Sequence, residues 1–148
     1  MLAAQAFHWF DPVATRTEWQ RIMKPGGWAV LIWNERKLDT TSFLRDYEKL
    51  LVKYSIDYPV VRHENAIAAI NLFFAPETPR YASFPNTQEF NFESLRGRLE
   101  STSYTPESGD SRFEPMIEEL KKVYEEHNQA GLVWFEYATK IYYGQLGG

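Results

Sequence analysis

Six residues in a row, Trp28-Ala29-Val30-Leu31-Ile32-Trp33, are apolar without interruption. A strand with one face in water alternates apolar and polar side chains. An unbroken run suits a strand buried on both faces, as in a parallel sheet. A short buried helix is the competing reading. Lys24-Pro25-Gly26-Gly27 stands before the run and Asn34-Glu35-Arg36-Lys37 after it. Pro followed by Gly fits the central positions of a type II turn, so the flanks favour the strand.

Helical patterns stand on both sides. Asp11-Pro12 is a helix start, an N-cap carboxylate followed by proline at the first helical position, and predicts a helix over 12–23. Phe43, Leu44, Tyr47, Leu50, Leu51 and Tyr54 make one face of an amphipathic helix over 40–54. Ile67, Ile70 and Phe74 mark another over 64–74, closed by Pro76 and Pro79. Residues 81–92 turn to period two, with Pro85 requiring an edge or a bulge. Asn91 caps a helix over 92–101, and Ser111 with Glu114 reads as a capping box for the next, with Gly131 as its C′ residue. The last element, 132–143, is a long aromatic strand. The pattern predicts an α/β domain over residues 1–148, an N-terminal arm (1–11) and a core (12–148), with about three strands and five helices. Three strands are few for an open sheet, so the pattern expects a partner or a further part.

Composition narrows the functions. The chain has 148 residues, no cysteine and a net charge of -4. Zinc–thiolate sites, iron–sulfur clusters and cysteine nucleophiles are excluded, and a basic nucleic-acid-binding face is not expected. No apolar run approaches the ~20 residues of a membrane span. No basic-then-apolar leader opens the sequence, so a cytoplasmic location is expected.

The segment AAQAFHWFD, a helix, and then RIMKPGGWAVLIWN resemble the middle of a class I S-adenosylmethionine-dependent methyltransferase of the type 11, small-molecule group. FPNTQEF, LRGRLESTSY and GLVWFEYATKIYYG resemble its later parts, so the resemblance covers nearly the whole chain. It implies a partial Rossmann-like methyltransferase fold whose last strand is antiparallel. It implies methyl transfer to a small-molecule acceptor, with S-adenosyl-L-methionine as cofactor. Such enzymes bind that cofactor through a glycine-rich GxGxG loop and an acidic residue that holds the ribose. None of the eight glycines here forms such a loop. The resemblance therefore matches the family's C-terminal half, expected to be inactive unless the N-terminal half is supplied, a separately encoded chain being one source.

In the resembling family the AFHW segment lies beside the methyl group. That implies His8 as proton acceptor and Gln5, Phe7 and Trp9 as cofactor contacts, the rings facing a sulfonium. The alternative is an apolar arm packing on something. Asn34 and Arg36 follow the buried strand, where open α/β sheets bind ligands, and are candidate substrate contacts; a solvated loop is the alternative. His63 and Glu64 read as a surface pair, His127 as a partnered core or boundary histidine, and Glu136 with Lys140 as a surface charge pattern. No metal site is expected. A second reading is a truncated, non-catalytic structural protein. It would be a homodimer, paired through an exposed edge at residues 28–33 or through the face that a missing half would cover.

Overall fold

Burying the backbone of the apolar run requires partners for its N–H and C=O groups on both sides. The computed structural model describes residues 1–56 and 62–146, without the side chains of 62–65, so the expected His63–Glu64 pair lies outside the described residues. The run lies in strand β2 (Trp28–Arg36). The turn before it forms as its sequence predicts. Gly26 sits at φ 76°, and the Gly27 N–H donates to the Lys24 carbonyl at 2.9 Å.

On one side β2 pairs with a strand missing from the sequence reading. Strand β1 (Leu2–Ala4) runs parallel to it, with Leu2 opposite Val30, Ala3 opposite Leu31 and Ala4 opposite Ile32. Three residues are too few to show a period. Part of the expected arm is thus sheet, and the expected bare edge at 28–33 is occupied along residues 30–32.

The other elements are α1 (Pro12–Ile22), α2 (Ser42–Tyr54), α3 (Arg62–Phe74), β3 (Arg80–Phe90), α4 (Phe92–Glu100), α5 (Phe113–His127) and β4 (Val133–Gln145). The strands are hydrogen-bonded in the order β1-β2-β4-β3. Strand β4 runs against β2: the Lys37 N–H meets the Glu136 carbonyl at 2.8 Å, and Thr139 Oγ1 donates to Asn34 Oδ1 at 3.0 Å. The fold is α/β with a mixed sheet and, among the described residues, five α-helices and four strands rather than three. Pro85 stands in β3, an edge strand, where its missing N–H is tolerated.

Three caps follow the sequence reading or extend it. Asp11 accepts from the Ala14 N–H at 2.7 Å, Thr41 from Leu44 at 3.1 Å and Asn91 from Ser94 at 2.9 Å. The Ser111 capping box does not form. Arg112 takes the N-cap position in helical conformation. The Asp110 carboxylate instead accepts from the Arg112 backbone N–H at 2.9 Å and guanidinium at 2.7 Å. Those bonds hold the Asp110 carboxyl at about 2. Gly131 is not the C′ residue of α5, which ends at His127 with Asn128 as its C-cap. Ala130 (φ 50°) and Gly131 (φ 81°) instead form a two-residue reversal between Gln129 and Leu132, which exchange backbone bonds of 2.8 and 3.1 Å. Two successive positive φ values are those of a type I′ turn.

The chain gathers into two compact units. Unit 1 comprises Met1–Glu35, Val60–Pro85 and Ala138–Gly148. Its core joins Ala29 and Leu31 of β2 to Trp19 of α1 and to Ile70, Phe73 and Phe74 of α3. Unit 2 comprises Arg36–Pro59 and Asn86–Tyr137. There the Phe135 ring of β4 lies 4.8 Å from Tyr47, 4.9 Å from Phe90 and 5.7 Å from Phe43, centroid to centroid. Leu95, Leu99, Met116 and Leu120 complete that core. No helix of the described residues is long and apolar enough to cross a membrane.

His127 is a partnered boundary residue. Its Nε2 lies 2.8 Å from Asp46 Oδ2 and its Nδ1 3.4 Å from Ser42 Oγ. Hydrogen bonds from Lys49 first, then from His127, hold the Asp46 carboxyl below its ordinary range. A carboxyl lowered by folding stabilises above its unfolded pKa of about 4, and that contribution disappears as pH falls through the folded value. Asp46→Asn should therefore be less stable than the parent at pH 6, with the gap closing below about pH 4; urea unfolding across pH 6 to 2 reads it.

Candidate functional site

The carboxyl end of β2 meets the segment after β1 within unit 1. Gln5 sits at φ 54°, a left-handed conformation that costs a non-glycine residue about 1–2 kcal/mol. Three hydrogen bonds hold it there. Its N–H donates to the Ile32 carbonyl at 2.9 Å, its Oε1 accepts the Asn34 N–H at 3.0 Å, and its Nε2 approaches the Asn34 carbonyl at 3.4 Å. The side-chain amide thus continues the ladder by one step after the backbone has turned away.

A 3-10 turn, Phe7–Trp9, follows. Phe7 anchors it. That residue is 2% exposed, and its ring packs edge-on at 4.9 Å from Phe73 and 6.3 Å from Trp33. His8 comes next and lines a cavity of about 340 Å³ together with Gln5 and Asn34. Trp33, Ile67, Ile70 and Tyr142 form its apolar wall, and Glu35 and Lys140 add charge. Trp33 stands edge-on to Tyr142 at 6.0 Å, and Tyr142 lies 5.0 Å from Tyr81.

The structure therefore brings Gln5, His8 and Asn34 around one cavity and places the other candidates elsewhere. The ring of Phe7 is occupied by core contacts. Trp9 is 74% exposed, its ring 4.8 Å from that of His8, and it does not line the cavity. Arg36 belongs to unit 2. Its Nη2 pairs with Glu48 at 2.6 Å, and its guanidinium carbon lies 5.1 Å from the Tyr47 ring centre and 5.6 Å from that of Phe135. Burial pushes the Tyr47 hydroxyl pKa upward.

Lys140 escaped the sequence reading as a site residue because its partner is set by strand pairing. Its Nζ bonds Glu35 at 2.6 Å, across from β2, and not Glu136 on its own strand. Burial alone would weaken its charge; the hydrogen bond and charge of Glu35 outweigh that and raise its pKa. Burial also raises the Tyr142 hydroxyl. Asp46, Glu126 and His127 bring possible metal-ligand atoms within 4.8 Å of one another, but in unit 2.

An uncharacterized methyltransferase-like protein of Schizosaccharomyces pombe is 28% identical over 132 residues, 82% of this chain and 48% of its own length. The Structure of a putative type II methyltransferase from Anaeromyxobacter dehalogenans matches 98% of this chain and 63% of its own, with a TM-score of 0.66 at 15% identity. The chain is thus similar in sequence to methyltransferase-like proteins and shares the fold of one solved structure. An uncharacterized methyltransferase of Mycobacterium tuberculosis is similar over a shorter stretch, 47% identical over 36 residues, 24% of this chain and 15% of that protein. No protein-family model matches the sequence. The chain spans about half the length of the Schizosaccharomyces pombe relative.

The Gln5 bonds give a direct expectation. Gln5→Ala keeps the strained backbone and removes the acceptor of the exposed Asn34 N–H, which should cost about 0.5–1.5 kcal/mol. Amide hydrogen exchange at Asn34 should quicken by up to about tenfold, the equivalent of about 1.4 kcal/mol.

Proposed function

We propose that this chain forms the acceptor side of an S-adenosylmethionine-dependent methyltransferase site, with His8 as its proton acceptor and a small molecule as the acceptor. The observation that carries this reading is the meeting of Gln5, His8 and Asn34 around one aromatic-walled cavity at the carboxyl end of β2. Ligands of open α/β sheets bind beyond such strand ends. The cofactor, when bound, supplies an electrophilic methyl group. His8 would take the proton that an acceptor hydroxyl or amine loses, a role histidine fills commonly near neutral pH. Trp33 and Tyr142 would exclude water and hold the acceptor's apolar body.

The residues fit only one end of the cofactor. The 148 residues contain no GxGxG loop to approach a nucleotide closely. We assign the adenosine-binding elements to another stretch of polypeptide, which would complete the site. Calorimetric titration with S-adenosylhomocysteine should show no micromolar binding to this chain alone. Binding and methyl transfer should appear with the GxGxG-bearing half of a relative added. His8→Gln should then lower turnover by about 10²–10⁴-fold. Micromolar binding by the chain alone would refute that assignment, and unchanged turnover in the variant would remove His8 from its role.

A second reading, a non-catalytic homodimer, is favoured by one observation. Trp28, Val30, Ala82, Phe84, Ile141 and Tyr143 line an apolar groove of about 440 Å³ on unit 1. Trp28 is 41% and Phe84 55% exposed. Contiguous exposed apolar surface of this kind marks association sites. Light scattering at micromolar concentration should give the mass of two chains, falling to one in Phe84→Glu; a monomeric parent would sink this reading.

A further inference from the structure

We propose that the cavity takes a small molecule whose apolar or aromatic body carries a carboxylate, and that Lys140 recognises that carboxylate. The inference rests on the reading of this cavity as the acceptor site. Its wall is apolar, with Trp33, Ile67, Ile70 and Tyr142, and suits a flat hydrocarbon body. Its polar end is rich in donors. A lysine ammonium has three N–H groups, and Glu35 takes one of them at 2.6 Å. Gln5 adds an amide nitrogen. The Asn34 backbone N–H can only donate, so the Gln5 atom it meets at 3.0 Å is the oxygen, and the NH₂ is the other arm. His8 adds a ring whose two nitrogens are one donor and one acceptor in the neutral form. The two side-chain amide oxygens accept from the protein itself: Gln5 Oε1 from Asn34 N–H, and Asn34 Oδ1 from Thr139.

Charge decides between the two ionic head groups. Rings beside a carboxylate also suit an ammonium ligand. Here, however, Lys140 already lies against Glu35, and a second cation at that point would meet a like charge. A ligand carboxylate instead meets an ammonium with N–H groups to share. Glu35 opposes it as a like charge and limits its affinity.

Three probes with one ring and different heads test this: benzoate, benzyl alcohol and benzylamine. Each is titrated into the full chain, with the backbone amide resonances of Lys140 and Tyr142 as readout. Benzoate should bind about tenfold tighter than benzyl alcohol, about 1.4 kcal/mol, and benzylamine weakest. Lys140→Gln should abolish the benzoate preference, Lys140→Arg should keep it, and Glu35→Gln should enlarge it. Tighter binding of benzylamine, a preference that survives Lys140→Gln, or no binding of any probe would overturn the proposal. The probes require no methyl transfer. A chain that binds benzoate in this way yet transfers no methyl group when the GxGxG-bearing half of a relative is added would sink the proposed reaction while leaving this recognition intact.

Discussion

Strand β2 can be buried only while its backbone groups are paired, and the segment before α1 supplies the partners on one side. The Met1 ammonium donates to the Trp28 carbonyl, Val30 donates to the Met1 carbonyl, and Gln5 closes the series at Ile32 and Asn34. This ladder fixes where the following turn begins. Phe7 then enters the core beside Phe73, and His8, next in sequence, arrives at the cavity. The position of the candidate base is therefore a consequence of strand pairing more than of its own contacts.

Strand β4 contributes residues to each unit. In unit 2 its Val133, Phe135 and Tyr137 are buried among the rings and aliphatic side chains of α2, α4 and α5. In unit 1 its Lys140 and Tyr142 line the cavity. Gly144 accepts the Phe74 ring against the backbone, where a Cβ would lie only 3.3 Å from a ring carbon. A strand of thirteen residues with alternating large side chains can serve a core and a site at once, because successive side chains leave opposite faces.

Much of this was legible in the sequence. The strand at the apolar run, the Pro25-Gly26 turn and the Asp11 cap rest on local chemistry and formed as read, but the strand is not buried on both faces: Ala29 and Leu31 are buried, whereas Trp28 is 41% exposed. The α/β class and the methyltransferase likeness were also legible, carried by AQAFHWFD and the KPGG turn. What escaped depends on distant partners. β1 is too short to show a period, and its pairing with residues 30–32 is a tertiary fact. Ser111 looked like a cap, but Arg112 takes that position and the Asp110 carboxylate accepts the Arg112 N–H. Of the site, Gln5, His8 and Asn34 were legible, whereas Lys140 was not, since its meeting with Glu35 is set by the register of two strands far apart in sequence. Phe7 shows a further limit: an aromatic residue reads alike whether its ring serves a ligand or a core.

Glutamine at a left-handed position has one more implication. Local backbone energetics would choose glycine there, and a stability-guided redesign ranking residues by conformation alone would make that change. The exchange relieves the backbone while deleting the amide that extends the ladder to Asn34. At this residue, conformational ease and hydrogen bonding form a trade-off, and the chain as it stands has settled on the side of the hydrogen bonds.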